Sequence, residues 1–313
     1  MPYPYSINEI NNRVKHDAKG FAEECEAIYN RKVMEAAASI SERTALSRVV
    51  FLSGPSGSGK TTTAQKICDA IRNLGIFAHT ISLDRYYFEQ DPETAPRTAD
   101  GEYDLESPFC LDLALLNEHF HDLEEGKEVT VPHFNFKKQQ RDPDKSMPLQ
   151  LGKDEIVIFE GIHALNDMLT DEHPDAFKLY ISARSDIIND SEVCFKRTWT
   201  RLLRRVVRDS FFRGADASVT FNMWENARDG EKKYISPFKY KADLLFDSSM
   251  AYEVPIMKQY AAPALTNIPE GIKRYEELKA VYPALMEFEK IDSEVVPANS
   301  ILREFIGGGI YEQ

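Results

Sequence analysis

The sequence predicts an α/β fold in which a mainly parallel sheet lies between two layers of helices. Three observations support this prediction. Short apolar runs alternate with helical patterns along much of the chain. One run, Val49 to Leu52, leads directly into a glycine-rich turn and then into a helical pattern. Two further runs lead into acids, Asp84 and Glu160, at the strand ends where α/β sheets bind their ligands.

Composition narrows the class of protein. The 313 residues suffice for one large α/β domain with extensions, or for two small domains. The formal net charge of -13 argues against a general nucleic-acid binder, and no apolar run is long enough to span a membrane. The four cysteines stand far apart and the N-terminus lacks a signal-peptide layout. We therefore expect a reduced, cytoplasmic protein.

The elements follow from periodicity. Residues 17–43 carry apolar side chains at three- and four-residue spacing, which predicts an amphipathic helix packed on the main domain rather than a partner-binding arm. Strands are predicted at 76–83, 128–136, 156–159, 178–182 and 242–246. Helices are predicted at 62–74, 111–123, 187–212, 221–232 and 269–290, and a long exposed loop at 89–108. These patterns divide the chain into a helical extension (1–47), a central domain (48–265) and a docked helical tail (266–313).

A glycine-rich stretch, GPSGSGKT at residues 54–61, matches the phosphate-binding pattern G-x-x-x-x-G-K-[ST]. Its glycines let backbone N–H groups curl around phosphate oxygens, and the following helix N-terminus adds a favourable dipole. Lys60 would face the β- and γ-phosphates, and Thr61 would offer a hydroxyl to Mg²⁺. An ordinary turn is the alternative, but the flanking strand and helix favour triphosphate binding. The predicted contacts are Gly54, Pro55, Ser56, Gly57, Ser58, Gly59, Lys60, Thr61 and Thr62.

The two strand-end acids are candidates for phosphoryl-transfer chemistry, which needs a held metal ion and a carboxylate that takes a hydroxyl proton. Asp84, in SLDRYYF, could act as the general base or hold Mg²⁺ through water. The alternative is that it caps the next turn. Glu160 ends IVIFE, where a magnesium ligand of the Walker B kind belongs, with a structural acid as the alternative.

Arginines recur in RLLRRVVRDSFFRG at helical spacing. Arg201, Arg204, Arg205 and Arg208 would place three or four cations on one helix face. Cations this close repel one another unless an anion binds between them, which predicts a lid that clamps a phosphate. Salt bridges to the many acids of the chain are the alternative.

With these residues in place, the sequence resembles the uridine kinase and phosphoribulokinase family of P-loop kinases over about residues 48–265. Six blocks occur in the family's order: GPSGSGKTT, SLDRYY, YDLESP, PHFNFKKQQR, IFEGIHALN and TRLLRRVVRD. The chain is most similar to bacterial nucleoside kinases that often carry an N-terminal TGS-type module. The SILREFIGG tail is also similar, whereas we expect that module to be absent, because about 47 residues precede the first strand.

The resemblance implies a three-layer P-loop kinase fold, ATP and Mg²⁺ as cofactors, and a nucleoside as the small-molecule acceptor. Asp84 would be the general base toward a ribose 5′-hydroxyl, and Glu160 would join Thr61 at Mg²⁺. Lys60, Arg201 and Arg204 would stabilise the transferring group, while Arg205 and Arg208 would bind ATP. The implied substrate site comprises Asp84, Tyr87, Tyr103, Asp104, Phe134, Gln139, Arg141, Trp199 and Arg201. A homo-oligomer is implied by family analogy alone.

The positions that would read the base depart from the uridine kinase pattern P-x-Y-D-F-x-x-H-x-R. Phe134 replaces the tyrosine, Gln139 replaces the histidine, and Trp199 replaces an aspartate before the lid. Losing hydrogen-bond partners to a polar base edge costs on the order of 10⁴-fold in discrimination. We expect the phosphate chemistry to be retained and pyrimidine recognition not to carry over, with Trp199 available to stack on a different ring.

Two other functions stay open. A kinase of a sugar phosphate or another small hydroxyl compound would be favoured if Lys137 and Lys138 faced the acceptor. A non-catalytic nucleotide-binding regulator would explain the changes at Gln139 and Trp199, although retention of Asp84 and the other reactive residues argues against it. No N-K-x-D motif indicates a GTPase.

Overall fold

A computed structural model of the chain describes residues 4–89, 91, 93–98, 101–136 and 138–311. The strands, in chain order, are β1 (Tyr5–Ser6), β2 (Val49–Ser53), β3 (Phe77–Ser82), β4 (Val129–Val131), β5 (Phe134–Asn135), β6 (Gln140–Arg141), β7 (Met147–Leu149), β8 (Glu155–Glu160), β9 (Phe177–Ser182), β10 (Ile187–Asn189), β11 (Glu192–Phe195) and β12 (Leu244–Asp247). The α-helices are α1 (Ile7–Ser41), α2 (Lys60–Arg72), α3 (Leu113–Glu124), α4 (Asp167–Thr170), α5 (Arg197–Phe212), α6 (Ala217–Gly230), α7 (Glu253–Leu265), α8 (Tyr275–Met286) and α9 (Arg303–Ile306).

The central sheet contains five parallel strands in the order β12-β9-β2-β8-β3. Successive side chains of a strand point to opposite faces. Val50 and Leu52 of β2 therefore join the core formed with α1, α2, α5 and α7, whereas Val49 and Phe51 join the core formed with α3. Helices thus cover both faces, and the predicted three-layer α/β fold is confirmed.

The first helix is longer than the predicted span of 17–43. It begins at Ile7 after the capping residue Ser6, whose hydroxyl accepts the N–H of Glu9. A break at Asp17, with φ -157° and ψ 73°, separates this first part from the rest. Tyr29 is buried and packs edge-to-face on Phe246 of β12, so the helix lies on the sheet rather than projecting as an arm.

The prediction of one helix over 187–212 is wrong for its first part. Residues 187–195 form the antiparallel hairpin β10–β11, which turns at Asp190 with φ +54°. Aspartate is one of the few non-glycine residues that tolerate this conformation. Strand β10 also pairs in parallel with β1, placing Tyr5 beside Ile187. The helix itself begins at Arg197.

The C-terminal part contains one helix that periodicity did not predict, α7, which packs against α5 and α8. Its Pro255 lies in the first turn, where proline is tolerated. Helix α8 lies inside the predicted span of 269–290. Beyond it, Ile301, Leu302 and Phe305 are fully buried in the core. In the described part of the chain, none of the helices combines the length and apolar character needed to cross a bilayer.

Candidate active site

The phosphate loop leaves the carboxyl end of β2, the buried central strand of the sheet. Two glycines are required by the geometry there. A Cβ at Gly54 would lie 2.0 Å from the carbonyl oxygen of Ile181, and Gly59 adopts φ +83° at the N-cap of α2. Ser58 closes the turn by donating its N–H to the Pro55 carbonyl at 3.1 Å. The loop therefore delivers the N-terminus of a 13-residue helix to the sheet edge.

Arg204 supports this loop from inside the core. The side chain is fully buried and its Nε donates to Glu253 Oε2 at 2.7 Å. Its Nη1 donates to the Gly57 carbonyl at 3.1 Å, and its Nη2 to the Ser248 carbonyl at 2.8 Å. The Ser248 hydroxyl in turn donates to the Ser58 carbonyl at 2.7 Å. Two carbonyl groups of the loop are thus held by side chains of the core.

A cavity of about 510 Å³ opens in front of the loop. It brings together the predicted Lys60, Thr61, Asp84 and Glu160. The Thr61 hydroxyl donates to Glu160 Oε1 at 3.1 Å. The described lining of this phosphate cavity is Ser56, Gly57, Gly59, Lys60, Thr61, Ser82, Asp84, Arg85, His133, Phe134, Phe136, Glu160, Ile162, Arg208, Phe212, Arg213 and Glu304.

The charges in this cavity influence one another. Burial raises the pKa of Glu160 to about 7; Lys60 opposes the shift and the negative charge of Asp84 adds to it. Desolvation also raises the pKa of Asp84, opposed by Lys60, Arg213 and Arg208, although the carboxylate is exposed to the open cavity. Burial lowers the pKa of Lys60, against the pull of Glu160 and Asp84. Glu160, Asp84 and Lys60 thus lie together in a partly desolvated site.

Asp84 does not cap the turn that follows β3. Ser82 does so, because its hydroxyl accepts the N–H of Asp84 at 3.3 Å. The carboxylate of Asp84 remains in the cavity beside the phosphate loop. A side chain in that place, with a raised pKa, can accept a proton from a hydroxyl group.

The predicted arginine face is divided by salt bridges. Arg201 pairs with Glu231 at 2.6 Å and Arg204 with Glu253 at 2.7 Å, and both are buried away from the phosphate cavity. Neither side chain belongs to the described lining of the phosphate cavity, and the catalytic roles predicted for them stay predictions. Arg205 is also buried, 5.9 Å from the Trp224 ring. Of the four, Arg208 lines the cavity.

A second cavity, of about 590 Å³, adjoins the first and has aromatic walls. It contains Tyr87, Tyr103, Phe134, Gln139 and Arg141 of the predicted substrate site. The two cavities share Phe134 and Phe136, whose rings lie 5.0 Å apart. The remaining described lining is Phe88, Glu89, Asp91, Thr94, Ala95, Pro96, Leu105, Phe109, Phe136 and Cys110.

Besides Arg201, two predicted substrate residues lie outside both cavities. Trp199 is buried in the core, edge-to-face with Phe195 at 5.4 Å, so the proposed stacking on a substrate ring is corrected to core packing. Asp104 lies outside the aromatic cavity and accepts a hydrogen bond from the Tyr234 hydroxyl at 2.8 Å. Lys138 is exposed, and Lys137 falls outside the described residues.

Some lining residues were not predicted from the sequence. Arg213 lies in the RLLRRVVRDSFFRG stretch but outside the helical spacing that singled out the other arginines. Phe109, in the short 3-10 helix Pro108–Cys110, and Phe136, in a turn, are exposed aromatic residues whose positions carry no local signal. Glu304 comes from the far C-terminus, in the SILREFIGG segment, whose similarity to the family gave this residue no role.

The donor set suits Mg²⁺, which prefers oxygen ligands and keeps several waters and substrate phosphates in its shell. Thr61 and Glu160 offer two adjacent oxygens, and Asp84 offers a third group in the same cavity. The described residues contain no cluster of three acidic, histidine or cysteine side chains of the kind that forms an all-protein metal site. A metal shared with a triphosphate fits this arrangement.

A parallel sheet with a phosphate loop and acids at its carboxyl edge defines a P-loop nucleotide-binding protein. The chain belongs to the phosphoribulokinase / uridine kinase family, whose model matches residues 49–255. It is 31% identical to uridine kinase of Saccharomyces cerevisiae over 259 residues, 82% of the chain and 46% of the yeast protein. The chain thus spans about half the length of that relative.

Two more proteins illustrate the similarity. Uridine kinase of Staphylococcus aureus is 29% identical over 212 residues, which cover 66% of this chain and 91% of that protein. Phosphoribulokinase from Rhodobacter spheroides is a solved structure that is 16% identical, with a TM-score of 0.42 over 66% of this chain and 74% of that one.

Proposed function

We propose that the protein is an ATP-dependent kinase that transfers the γ-phosphoryl group to a hydroxyl of a nucleoside. One observation carries this proposal: the phosphate cavity and the aromatic cavity meet at Phe134 and Phe136. Asp84 lines the phosphate cavity, and its charge acts on Tyr87 of the aromatic cavity. A molecule with a flat ring in the aromatic cavity can thus present a hydroxyl toward the acid and the phosphate loop.

The residues divide the reaction between them. Asp84 would take the hydroxyl proton as the acceptor oxygen bonds to the γ-phosphorus and the bond to the ADP oxygen breaks. Lys60, Arg208 and Arg213 would neutralise charge on the transferring group. Thr61 and Glu160 would hold Mg²⁺, which would neutralise negative charge on the phosphates.

Aromatic walls support a nucleoside over other hydroxyl compounds. Stacking of a base on an aromatic side chain contributes about 1–3 kcal/mol and tolerates any base. Tyr87 lies within 6 Å of both shared phenylalanine rings, at centroid distances of 5.7 Å to Phe134 and 5.8 Å to Phe136. This three-ring cluster presents apolar faces rather than the hydrogen-bonding edge that would select one base.

A phosphorylated acceptor is less well supported. The charged side chains in the described lining of the aromatic cavity are Glu89, Asp91 and Arg141. Arg141 already donates to Asp112 at 2.9 Å and to the Tyr87 carbonyl at 3.2 Å. A dianionic phosphate would meet two acids and a cation that is engaged elsewhere.

An acceptor panel tests the proposal. ADP release from ATP and Mg²⁺ would be followed with purine nucleosides, pyrimidine nucleosides and sugar phosphates, in parallel with the Asp84→Asn variant. We expect nucleoside-dependent turnover in the wild type and its loss in the variant. Turnover with sugar phosphates alone would show that the acceptor is a sugar phosphate and not a nucleoside. Binding of ATP without transfer to any acceptor would indicate a regulatory protein.

A further inference from the structure

The C-terminal segment 299–306 is packed against the phosphate loop and its helix. Ile301, Leu302 and Phe305 are fully buried, and the Arg204 guanidinium lies 5.3 Å from the Phe305 ring centroid. Lys66 of α2 donates to the Asn299 carbonyl at 2.6 Å. A Cβ at Gly59 would lie 2.1 Å from Cδ1 of Ile301. The segment is therefore fixed where the nucleotide-binding loop becomes helix α2.

From this segment, Glu304 reaches into the phosphate cavity. Its Oε2 accepts the backbone N–H of Thr62 at 3.2 Å, in the first turn of α2. Glu304 lines the cavity together with Lys60 and Thr61, and its charge acts on Lys60. A tail residue about 240 positions away thus places a carboxylate on the first turn of the phosphate-binding helix.

Backbone N–H groups at this place are the donors that a phosphate loop offers to nucleotide phosphates. A carboxylate and a phosphate cannot both use the single N–H of Thr62, and two anions repel each other at one helix terminus. Ile301, in the same segment as Glu304, packs tightly on Gly59 of the loop. Because close packing transmits displacements, a shift of Glu304 is transmitted to the rest of this segment.

We propose that Glu304 is a built-in competitor of the nucleotide: it holds the Thr62 N–H until a phosphate displaces it, so that nucleotide binding and tail docking oppose each other. The inference rests on the proposed function only in taking ATP as the ligand of the loop. Because coupling is reciprocal, a change that weakens the Glu304 contact must tighten nucleotide binding. The tail thereby sets the nucleotide affinity of the enzyme.

The test compares full-length wild type, Glu304→Gln and Glu294→Gln, whose side chain is an exposed acid of the same tail. Binding of Mg²⁺·ATP and of inorganic tripolyphosphate would be measured by calorimetry without any acceptor. Glutamine keeps the shape and an acceptor oxygen but removes the charge. We expect Glu304→Gln to bind both ligands about 2- to 30-fold more tightly, the range for one charge at a helix N-terminus, and Glu294→Gln to match the wild type.

Hydrogen exchange of the wild type supplies a second readout that needs no variant. Saturation with ATP should speed amide exchange in residues 299–307 if Glu304 is displaced. Unchanged or weaker ATP binding by Glu304→Gln, or a tail that ATP protects further, would overturn the inference while leaving the kinase proposal intact. A wild type that binds neither ligand would overturn both.

Discussion

The Thr61 hydroxyl and the Glu160 carboxylate are joined by a hydrogen bond of 3.1 Å. The bond links the first turn of α2 to the end of β8, the two elements that flank the phosphate cavity. Glu160 is only 4% exposed, so this pair is held in a fixed position and is not a surface contact. In the proposed reaction, the pair would provide a preformed oxygen site for the metal that accompanies a triphosphate.

Glu160→Gln should therefore lower activity by about 10- to 100-fold and raise the Mg²⁺ concentration needed for half-maximal rate. The amide still accepts the Thr61 hydrogen bond, but it is a far weaker metal ligand than a carboxylate. Glu155→Gln, at the other end of the same strand, is the matched control and should keep its Mg²⁺ dependence. Equal Mg²⁺ titrations for the wild type and Glu160→Gln would exclude Glu160 as the metal ligand.

Much of the phosphate side of the site could be predicted from the sequence because its signals are local. The glycine positions, Lys60 and Thr61 belong to one contiguous motif, and Asp84 and Glu160 lie next to recognisable strands. The parallel sheet then brings these strand ends together without further information.

The sequence could predict that the arginines share one face of a helix, but not which of them line a binding site. Which cations reach a ligand depends on acids supplied by distant segments, such as Glu253 for Arg204, 49 residues away. The hairpin at 187–195 was missed for a similar reason. Its strand β10 is paired with Tyr5 and Ser6, and a local apolar pattern cannot reveal such a contact.

Arg204→Met should destabilise the fold by about 3–5 kcal/mol, because it leaves the buried carboxylate of Glu253 without its partner. Urea unfolding would measure the loss. Arg197→Ala is the control, since that side chain is 53% exposed and its contact with Asp186 is long at 3.7 Å. The double variant Arg204→Met, Glu253→Met should recover part of the stability. A single variant as stable as the wild type would contradict the structural role assigned to Arg204.

Phe109→Ala should raise KM for the nucleoside about 5-fold or more and leave KM for ATP unchanged. Phe109 is 59% exposed and lines the aromatic cavity. It does not belong to the described lining of the phosphate cavity. Steady-state kinetics with each substrate varied in turn would separate the two effects. Phe77→Ala removes a similarly exposed ring from the start of β3 and should change neither constant. A rise in KM for ATP alone would assign the aromatic cavity to the donor.

His163 should make stability depend on pH in the acidic range. The ring is 1% exposed and burial lowers its pKa to about 4, whereas an unfolded histidine titrates near 6.5. Between these values the unfolded histidine binds a proton that the folded one does not, so the contribution of His163 to stability is full above about pH 6.5 and is lost as the pH drops. The loss expected from His163 alone between pH 7 and pH 5 is about 2 kcal/mol.

Urea unfolding of the wild type and His163→Gln at pH 5 and pH 7, without nucleotide, would measure this difference. The variant should lose the histidine's share of the pH dependence, while His16→Gln, on the exposed side of α1, should keep it. Parallel curves for the wild type and His163→Gln would show that His163 does not cause the dependence.

The most direct test of the proposed reaction is the rate at which nucleoside 5′-monophosphate forms from ATP in the wild type and in Asp84→Asn. Removing a general base typically costs about 10²- to 10⁴-fold. We predict a loss in that range for Asp84→Asn, with ATP binding retained and with the exposed control Asp144→Asn as active as the wild type. Formation of the monophosphate at the wild-type rate by Asp84→Asn, or its absence with every nucleoside in the wild type, would contradict the proposal.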